Sequence, residues 1–232
     1  MSRWYLAAAQ VEREAGRKEL ADQQMSQAQR WSPDDPAILL TRARWHREDG
    51  EYLAALEDVN SLNERVPDNS VILIERSQIL QHLGRHNEAI ADWKSLDRMS
   101  MTSGIPSRPM ALNGLAYARA VGNLELDDAL KGVEEALVMQ SGDPMFLDTR
   151  GFILYRQGKY PESFADMDRA VIDIEKLRRE TSVDRSSLIE GVAVVRYHRA
   201  LVLEKLGRYA EAKLDRARAK QLIGREPDET LF

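Results

Sequence analysis

Histidine is the side chain in this sequence best suited to metal binding or proton transfer, and four are present. His82 and His86 have the spacing of a helical metal pair, but Gly84 lies between them at a position typical of a turn, so we expect exposed turn residues. His46 and His198 lack a neighbouring nucleophile motif, and His198 is expected to be a groove or packing residue. The sequence has no cysteine, glycine-rich phosphate loop or dinucleotide fingerprint. These residue types predict no metal, no cofactor and no enzymatic activity.

The composition is that of a soluble globular protein, with 43% hydrophobic and 31% charged residues. A net charge of −5 argues against general nucleic-acid binding. The apolar stretch at 4–9 is far shorter than the ~20 residues that a membrane span needs. These features favour a cytoplasmic location, with a secreted or periplasmic mature fragment as the alternative.

The sequence repeats itself. Gly16, Gly50 and Gly84 lie at equal intervals of 34 residues, and small residues at 9, 43 and 77 keep the same interval. Three further copies have their small residues at 116, 151 and 200. Two amphipathic segments of about 13 residues flank the glycine in each copy, which is typical of a helix hairpin. A single hairpin buries too little apolar surface to be stable, so the pattern predicts stacked hairpins.

The repeat resembles the tetratricopeptide repeat, a helix–turn–helix module. The second copy has Ala43, Gly50, Tyr52, Ala55 and Pro67 at the usual small, glycine, aromatic, alanine and closing positions of this repeat. The fifth copy has Gly151, Gly158, Tyr160, Ser163 and Ala170 at these positions. The resemblance implies an all-α, right-handed α–α superhelix, a solenoid of about six hairpins whose first helices line a concave groove. The fourth copy departs from the pattern, because Gly122 is followed by Asn-Leu-Glu-Leu.

Side chains on the inner faces of the first helices are the candidate binding residues. Spacing of three or four residues along these helices selects Arg44, Arg47, Gln78, Asn113, Tyr117, Asp148, Phe152, Tyr155 and Tyr197. Aromatic anchors beside hydrogen-bonding groups are suited to binding a peptide. The alternative is that these rings pack against the next repeat.

Some proteins with this repeat bind chaperone C-termini through a clamp of lysine, asparagine and arginine. The corresponding positions here are Leu6, Gln10, Thr41, Val71 and Glu75, or Asn113, Tyr117, Thr149, Val194 and His198. Neither set reproduces the clamp, so no carboxylate-clamp chaperone ligand is expected.

Interruptions in the repeat divide the chain. We predict repeats one to three at 1–101, a Ser/Gly/Pro-rich connector at 102–109, and repeats four to six at 110–226. The connector is either a plain link or a bend between two halves. Extra residues near 174–191 predict an extended helical hairpin, and 227–232 is expected to be a loosely ordered tail.

The last helix is expected to cap the array with a charged outer face formed by Lys213, Asp215, Arg216, Arg218 and Lys220. The sequence as a whole predicts a non-catalytic adaptor or scaffold that binds a peptide or helix of another protein in its groove. The alternative is a structural subunit that acts by self-association.

Overall fold

The computed structural model describes residues 1–180 and 185–225, without the side chains of residues 185–187. The predicted tail at 227–232 lies outside these residues, as do residues 181–184 of the predicted extended hairpin. The described residues form twelve helices: α1 (Ser2–Glu14), α2 (Lys18–Trp31), α3 (Pro36–Glu48), α4 (Tyr52–Arg65), α5 (Ser70–His82), α6 (His86–Ser103), α7 (Arg108–Val121), α8 (Leu126–Met139), α9 (Pro144–Arg156), α10 (Tyr160–Glu180), α11 (Arg185–Lys205) and α12 (Tyr209–Ile223).

Packing divides the chain into two compact units, Met1–Leu83 and a second unit that begins at Gly84. The first contains α1 to α5, with α1 packed on α2 and α3 on α4. The second contains α6 to α12, in which α7 pairs with α8, α9 with α10, and α11 with α12. The predicted all-α fold of tandem helix hairpins is confirmed. The division by packing falls between the helices of the third repeat, whereas the boundary at 101 follows the repeats and stays a prediction.

Local sequence signals set the starts of three first helices. Asp35 precedes α3, and its side chain accepts a hydrogen bond of 2.9 Å from the Ala37 backbone N–H. Asn69 caps α5 and Asp143 caps α9 in the same way. Proline occupies the first position of α3 and α9. A backbone N–H at this position has no acceptor within the helix, so proline can lack it without cost.

The hairpin turns need a left-handed residue, which glycine usually supplies. Gly50 has φ = +79° and Gly158 has φ = +76°. The fourth turn differs from the sequence-based alignment, because Gly122 has φ = −73° and Asn123 takes the left-handed conformation with φ = +53°. Asparagine tolerates this conformation better than most residues. Gly122 is needed for a different reason, since a Cβ there would lie 2.8 Å from the His86 Cβ.

Small residues allow the two helices of a hairpin to approach closely. In the fifth repeat, the Ser163 hydroxyl donates a 2.6 Å hydrogen bond to the Gly151 carbonyl across the α9–α10 pair. A Cβ at position 151 would lie 2.8 Å from the Met167 Cγ and 3.3 Å from the Ser163 carbonyl oxygen. Gly151 and Ser163, two of the small-residue positions found in the sequence, are therefore contact points between the paired helices of this repeat.

An arginine–aspartate ion pair bridges the helices of three hairpins. Asp58 accepts a 2.7 Å bond from the Arg42 Nε, and both Arg42 nitrogens contact this carboxylate. In the same way, two nitrogens of Arg150 donate hydrogen bonds to Asp166, and two nitrogens of Arg199 donate hydrogen bonds to Asp215. The partners lie 16 residues apart in every case. Two parallel hydrogen bonds fix the orientation of the arginine as well as its position.

The segment between α6 and α7 is shorter than the predicted connector at 102–109. Helix α6 continues to Ser103, Gly104 ends it with φ = +71°, and α7 begins at Arg108. Near the predicted extended hairpin, α10 and α11 are each 21 residues long, against 13 to 15 residues for most of the other helices. None of the described helices is both long enough and apolar enough to cross a membrane.

The charged outer face predicted for α12 is wrong at one position. Asp215 is 2% exposed, because its carboxylate accepts hydrogen bonds from Arg196 and Arg199 of α11. Lys213 and Lys220 are exposed as expected. The alternation of charge along the helix did not distinguish a buried, paired carboxylate from a solvated one.

Replacing Gly151 tests the close helix contact. We expect Gly151→Val to lower the free energy of unfolding by about 1–3 kcal/mol, because the new side chain must displace Met167. Denaturant unfolding followed by circular dichroism measures this. Gly132→Ala is the matched control, since its Cβ meets only the Leu112 carbonyl at 3.8 Å, and we expect it to be neutral or stabilising. Equal effects of the two substitutions would contradict the proposed contact.

Glu175 gives a pH-dependent test of packing between α10 and α11. Burial opposes its ionisation, but hydrogen bonds from Arg196 and Arg178 outweigh burial and hold the pKa below the ordinary value of 4.5. Ionised Glu175 therefore stabilises the fold above this pH, and the contribution is lost as the pH falls through the folded pKa.

We expect Glu175→Gln to lower the free energy of unfolding at pH 7 by about 1–2 kcal/mol. The difference from the parent chain should shrink as the pH falls through the folded-state pKa, below which the carboxyl is neutral in both states. Denaturant titrations across this range measure it. Glu211→Gln, which removes the exposed pair with Arg208, should change stability much less. A difference that stays constant with pH would count against this role of Glu175.

Candidate functional site

The candidates in the first unit gather around a buried carboxylate. Arg47 donates a 2.6 Å hydrogen bond and Arg44 a 3.3 Å hydrogen bond to Glu75, whose side chain is 6% exposed. The Arg44 side chain is 46% exposed, and Gln78 is half-buried. Because two guanidinium groups share one carboxylate, these three side chains together carry a net positive charge.

The candidates in the second unit form one aromatic cluster. Helices α7, α9 and α11 contact one another, and they bring together Tyr117, Phe152 and Tyr197 around His198. The Phe152 ring stacks on the His198 ring with centroids 4.4 Å apart, and the Tyr155 ring is nearly parallel to Phe152 with a centroid distance of 6.1 Å. The structure therefore unites four aromatic residues that the sequence predicts to share an inner face.

A buried hydrogen bond between His198 and Asp148 holds the centre of this cluster. His198 Nδ1 lies 2.8 Å from Asp148 Oδ2, and both residues have 0% exposure. The carboxylate fixes the orientation of the imidazole, and the imidazole in turn fixes the Phe152 ring that stacks on it. His198 is thus a packing residue, one of the two roles considered for it.

Burial corrects the predicted roles of two candidates. Phe152 and Asp148 have no exposed surface, so neither can touch a partner in this conformation. The reason is that α11 lies over α9 at this point and covers both side chains. Tyr117, at 3% exposure, and Tyr197, at 8%, are nearly covered, whereas Tyr155 is half-buried. Partner binding by this surface stays a prediction, and Phe152 and Asp148 can contribute to it only by supporting their neighbours.

Several buried polar atoms in the same region have no hydrogen-bond partner. They are Asn113 Oδ1, Asp148 Oδ1, Thr149 Oγ1 and His198 Nε2. A buried polar atom without a partner costs about 1–3 kcal/mol. These residues lie on α7, α9 and α11, the same three helices that carry the aromatic cluster. The cluster thus combines apolar rings with unused hydrogen-bonding capacity.

Charged residues border the aromatic cluster. The Arg156 guanidinium lies 4.9 Å from the Phe152 ring centroid, and the Arg216 guanidinium lies 5.1 Å from that of Tyr197. Arg216 also donates two hydrogen bonds to Glu204, and this carboxylate raises the pKa of the guanidinium. Both guanidinium groups of this cationic border remain charged at any physiological pH, and Glu204 compensates the charge of Arg216.

A separate pocket of about 330 Å³ lies between α9, α10 and α11. Its walls are mostly apolar and include Met145, Ile174, Leu177 and Val194. Asp143 also lines it, but its Oδ1 caps the first turn of α9. The described residues contain no group of three or more histidine, cysteine, aspartate or glutamate side chains arranged to hold a metal ion.

The histidines first considered for metal binding have structural surroundings. His82 is half-buried and stacks on Tyr52 with centroids 4.4 Å apart, and His86 is half-buried beside Gly122. The expectation that both are exposed is wrong, because neighbouring repeat residues cover them.

Sequence reasoning missed Glu75 as the partner of Arg44 and Arg47, and missed the pairing of Asp148 with His198. No local signal marks the second pair, whose members lie 50 residues apart. The 16-residue spacing of arginine and aspartate within the repeats was a usable signal. Arg76 and Asp92 show the same spacing in the sequence.

Comparison with known proteins identifies the fold. No family model matches the sequence, and no curated protein matches it. A tetratricopeptide repeat protein from Parabacteroides merdae is similar in structure, with a TM-score of 0.74 and 20% identity over 95% of this chain and 78% of that chain. PilW, described as a widely conserved type IV pilus biogenesis factor, has a TM-score of 0.66 and 14% identity over 99% of this chain and 96% of its own.

A thermophilic tetratricopeptide protein from Thermus thermophilus has a TM-score of 0.58 and 19% identity, covering 92% of this chain and 100% of that chain. At these identities the likeness establishes the fold. The chain therefore has the tetratricopeptide-repeat fold, as its repeated residues predict.

Phe152→Ala tests whether the aromatic cluster is a packing core. We expect a loss of about 3–5 kcal/mol in the free energy of unfolding, because a fully buried ring is removed. Tyr209→Ala is the control, since that ring is 69% exposed on α12, and it should change stability by about 0.5 kcal/mol or less. Chemical denaturation measures both. A small effect at Phe152 would show that the ring is not buried as described.

Proposed function

We propose that this chain, which has the tetratricopeptide-repeat fold, is a non-catalytic protein-interaction module. Its second unit binds a peptide or helical segment of another protein along α7, α9 and α11. One observation carries the proposal: four aromatic side chains converge on these three helices, and the Tyr155 ring at their edge is only half-buried. A ligand gains apolar contact with the exposed part of such a ring, and it forms hydrogen bonds with the polar side chains that keep some surface beside it.

The residues that retain surface are the contacts in this proposal. Tyr155, half-buried beside Arg156, provides the accessible aromatic edge, and Asn113, Tyr117 and Tyr197 contribute the small areas they expose. The buried Phe152 ring stacks on the Tyr155 ring, so it holds that ring in position. A preorganised surface of this kind binds with little loss of side-chain entropy.

The cationic border favours a partner with acidic residues. Arg156 and Arg216 lie beside the cluster, and their charges would accelerate encounter with an acidic segment and fix its direction. The Arg44–Arg47–Glu75 surface of the first unit has the same sign of charge and is proposed as a second, independent contact surface.

Peptide selection provides the test. A random peptide library is displayed on phage and selected against the purified chain, and the selected peptides are titrated by fluorescence anisotropy. We expect Tyr155→Ala to weaken binding at least tenfold, or about 1.4 kcal/mol. Leu214→Ala, at a residue 71% exposed on α12, should leave the affinity unchanged.

Thermal unfolding of both variants controls for loss of structure. Selected peptides that bind equally well to the Tyr155 variant, or that lose affinity with the Leu214 variant instead, would contradict the proposed surface. An affinity that falls with added salt would support the contribution of the cationic border.

A further inference from the structure

The first helix of the chain exposes a row of apolar side chains. Trp4 is 67% exposed and Val11 is 58% exposed, with exposed Ala7 between them. These positions are three and four residues apart, so the side chains share one face of α1. We call Trp4, Ala7 and Val11 the α1 face.

On the other first helices, the positions equivalent to Trp4 and Val11 are covered. The residues equivalent to Trp4 lie five positions before the small residue of each first helix and are between 0% and 6% exposed: Ile38, Ile72, Ala111, Phe146 and Val195. The residues equivalent to Val11 lie two positions after the small residue. Ile79, Ala118, Ile153 and Val202 have 0% exposure, and Trp45 is half-buried.

The second helix of the preceding repeat covers these positions. Ile38 packs in one cluster with Met25 and Ala28 of α2, and Ile72 packs with Leu62 of α4. In the second unit, Val195 packs with Ala170 and other residues of α10. The α1 face thus has the composition and spacing of a surface that receives a packed helix.

The last helix lacks a matching apolar surface. The position four residues after the small residue of each second helix is apolar and buried in the first five repeats, as at Met25, Val59 and Met167. In α12 this position is Arg216, which pairs with Glu204 at 2.8 Å with both side chains more than one-third exposed. Head-to-tail stacking of copies would bury this charged pair, which is unfavourable.

The α1 face is complementary to itself when two copies run antiparallel. Trp4 then lies opposite Val11 of the second copy, and Ala7 lies near the crossing point, where a small side chain permits close approach. Arg3 and Glu14, both exposed and on the same flank of α1, then face each other at both ends. A two-fold interface of this kind repeats each favourable contact twice.

We propose that the α1 face is a homodimer interface in which the α1 helices of two copies pack antiparallel. The occupant of the face is a second copy of this chain. Because one short helix from each copy forms the contact, the dimer is weak and its population depends on concentration in the micromolar range. The binding surface proposed for the second unit does not depend on this interface.

Sedimentation velocity of the full chain from about 5 to 500 μM tests the proposal. We expect the weight-average mass to rise with concentration. Val11→Glu should raise the dissociation constant at least tenfold, because it places a carboxylate in the interface. Leu214→Glu is the matched control, since it adds the same charge at an exposed apolar residue on α12, and it should leave the dissociation constant unchanged.

Charge reversal tests the antiparallel arrangement. Arg3→Glu should weaken the dimer several-fold, and the Arg3→Glu/Glu14→Arg double variant should restore it. A chain that is monomeric at every concentration would overturn the proposal. So would a dimer that is insensitive to Val11→Glu, or one that Leu214→Glu disrupts equally. A dimer that the double variant weakens further would rule out the antiparallel pairing.

Discussion

The close approach of paired helices, as in the fifth repeat, is the constraint on which the rest of the structure depends. Ser163 lies against the backbone of Gly151, and a Cβ at that glycine would come within 2.8 Å of Met167. At this separation, Arg150 on one helix reaches Asp166 on the other with two nitrogens. The narrow hairpin also presents continuous apolar faces to its neighbours, and their mutual burial supplies the stability that a lone hairpin lacks.

Features that recur in every repeat could be predicted from the sequence. The seven-residue interval between Ala43 and Gly50 recurs around four other turns, because these hairpins meet the same steric requirements. The fourth turn shows the limit of this reasoning. Alignment by residue type selects Gly122, whereas the backbone places the left-handed residue at Asn123, because Gly122 serves the contact with His86. One residue type can satisfy two different constraints, and composition does not tell them apart.

The candidate site was predicted in part. The spacing on the first helices correctly grouped Tyr117, Phe152, Tyr155 and Tyr197, because helical periodicity decides which side chains share a face. It could not decide how deeply each one lies, since burial depends on how closely the next hairpin packs. The Asp148–His198 pair was beyond prediction for the same reason, as it joins two helices that are distant in sequence.

The arginine–aspartate pairs have a consequence for the evolution of the array. Both partners of each pair are encoded within a single repeat, as for Arg42 with Asp58 and Arg199 with Asp215. A genetic duplication or deletion of a whole repeat therefore carries the pair intact and strands no buried carboxylate. Contacts such as Arg196 with Glu175 join successive repeats and would be separated by the same event. Lineages can thus change the number of hairpins most easily where few such contacts cross the boundary.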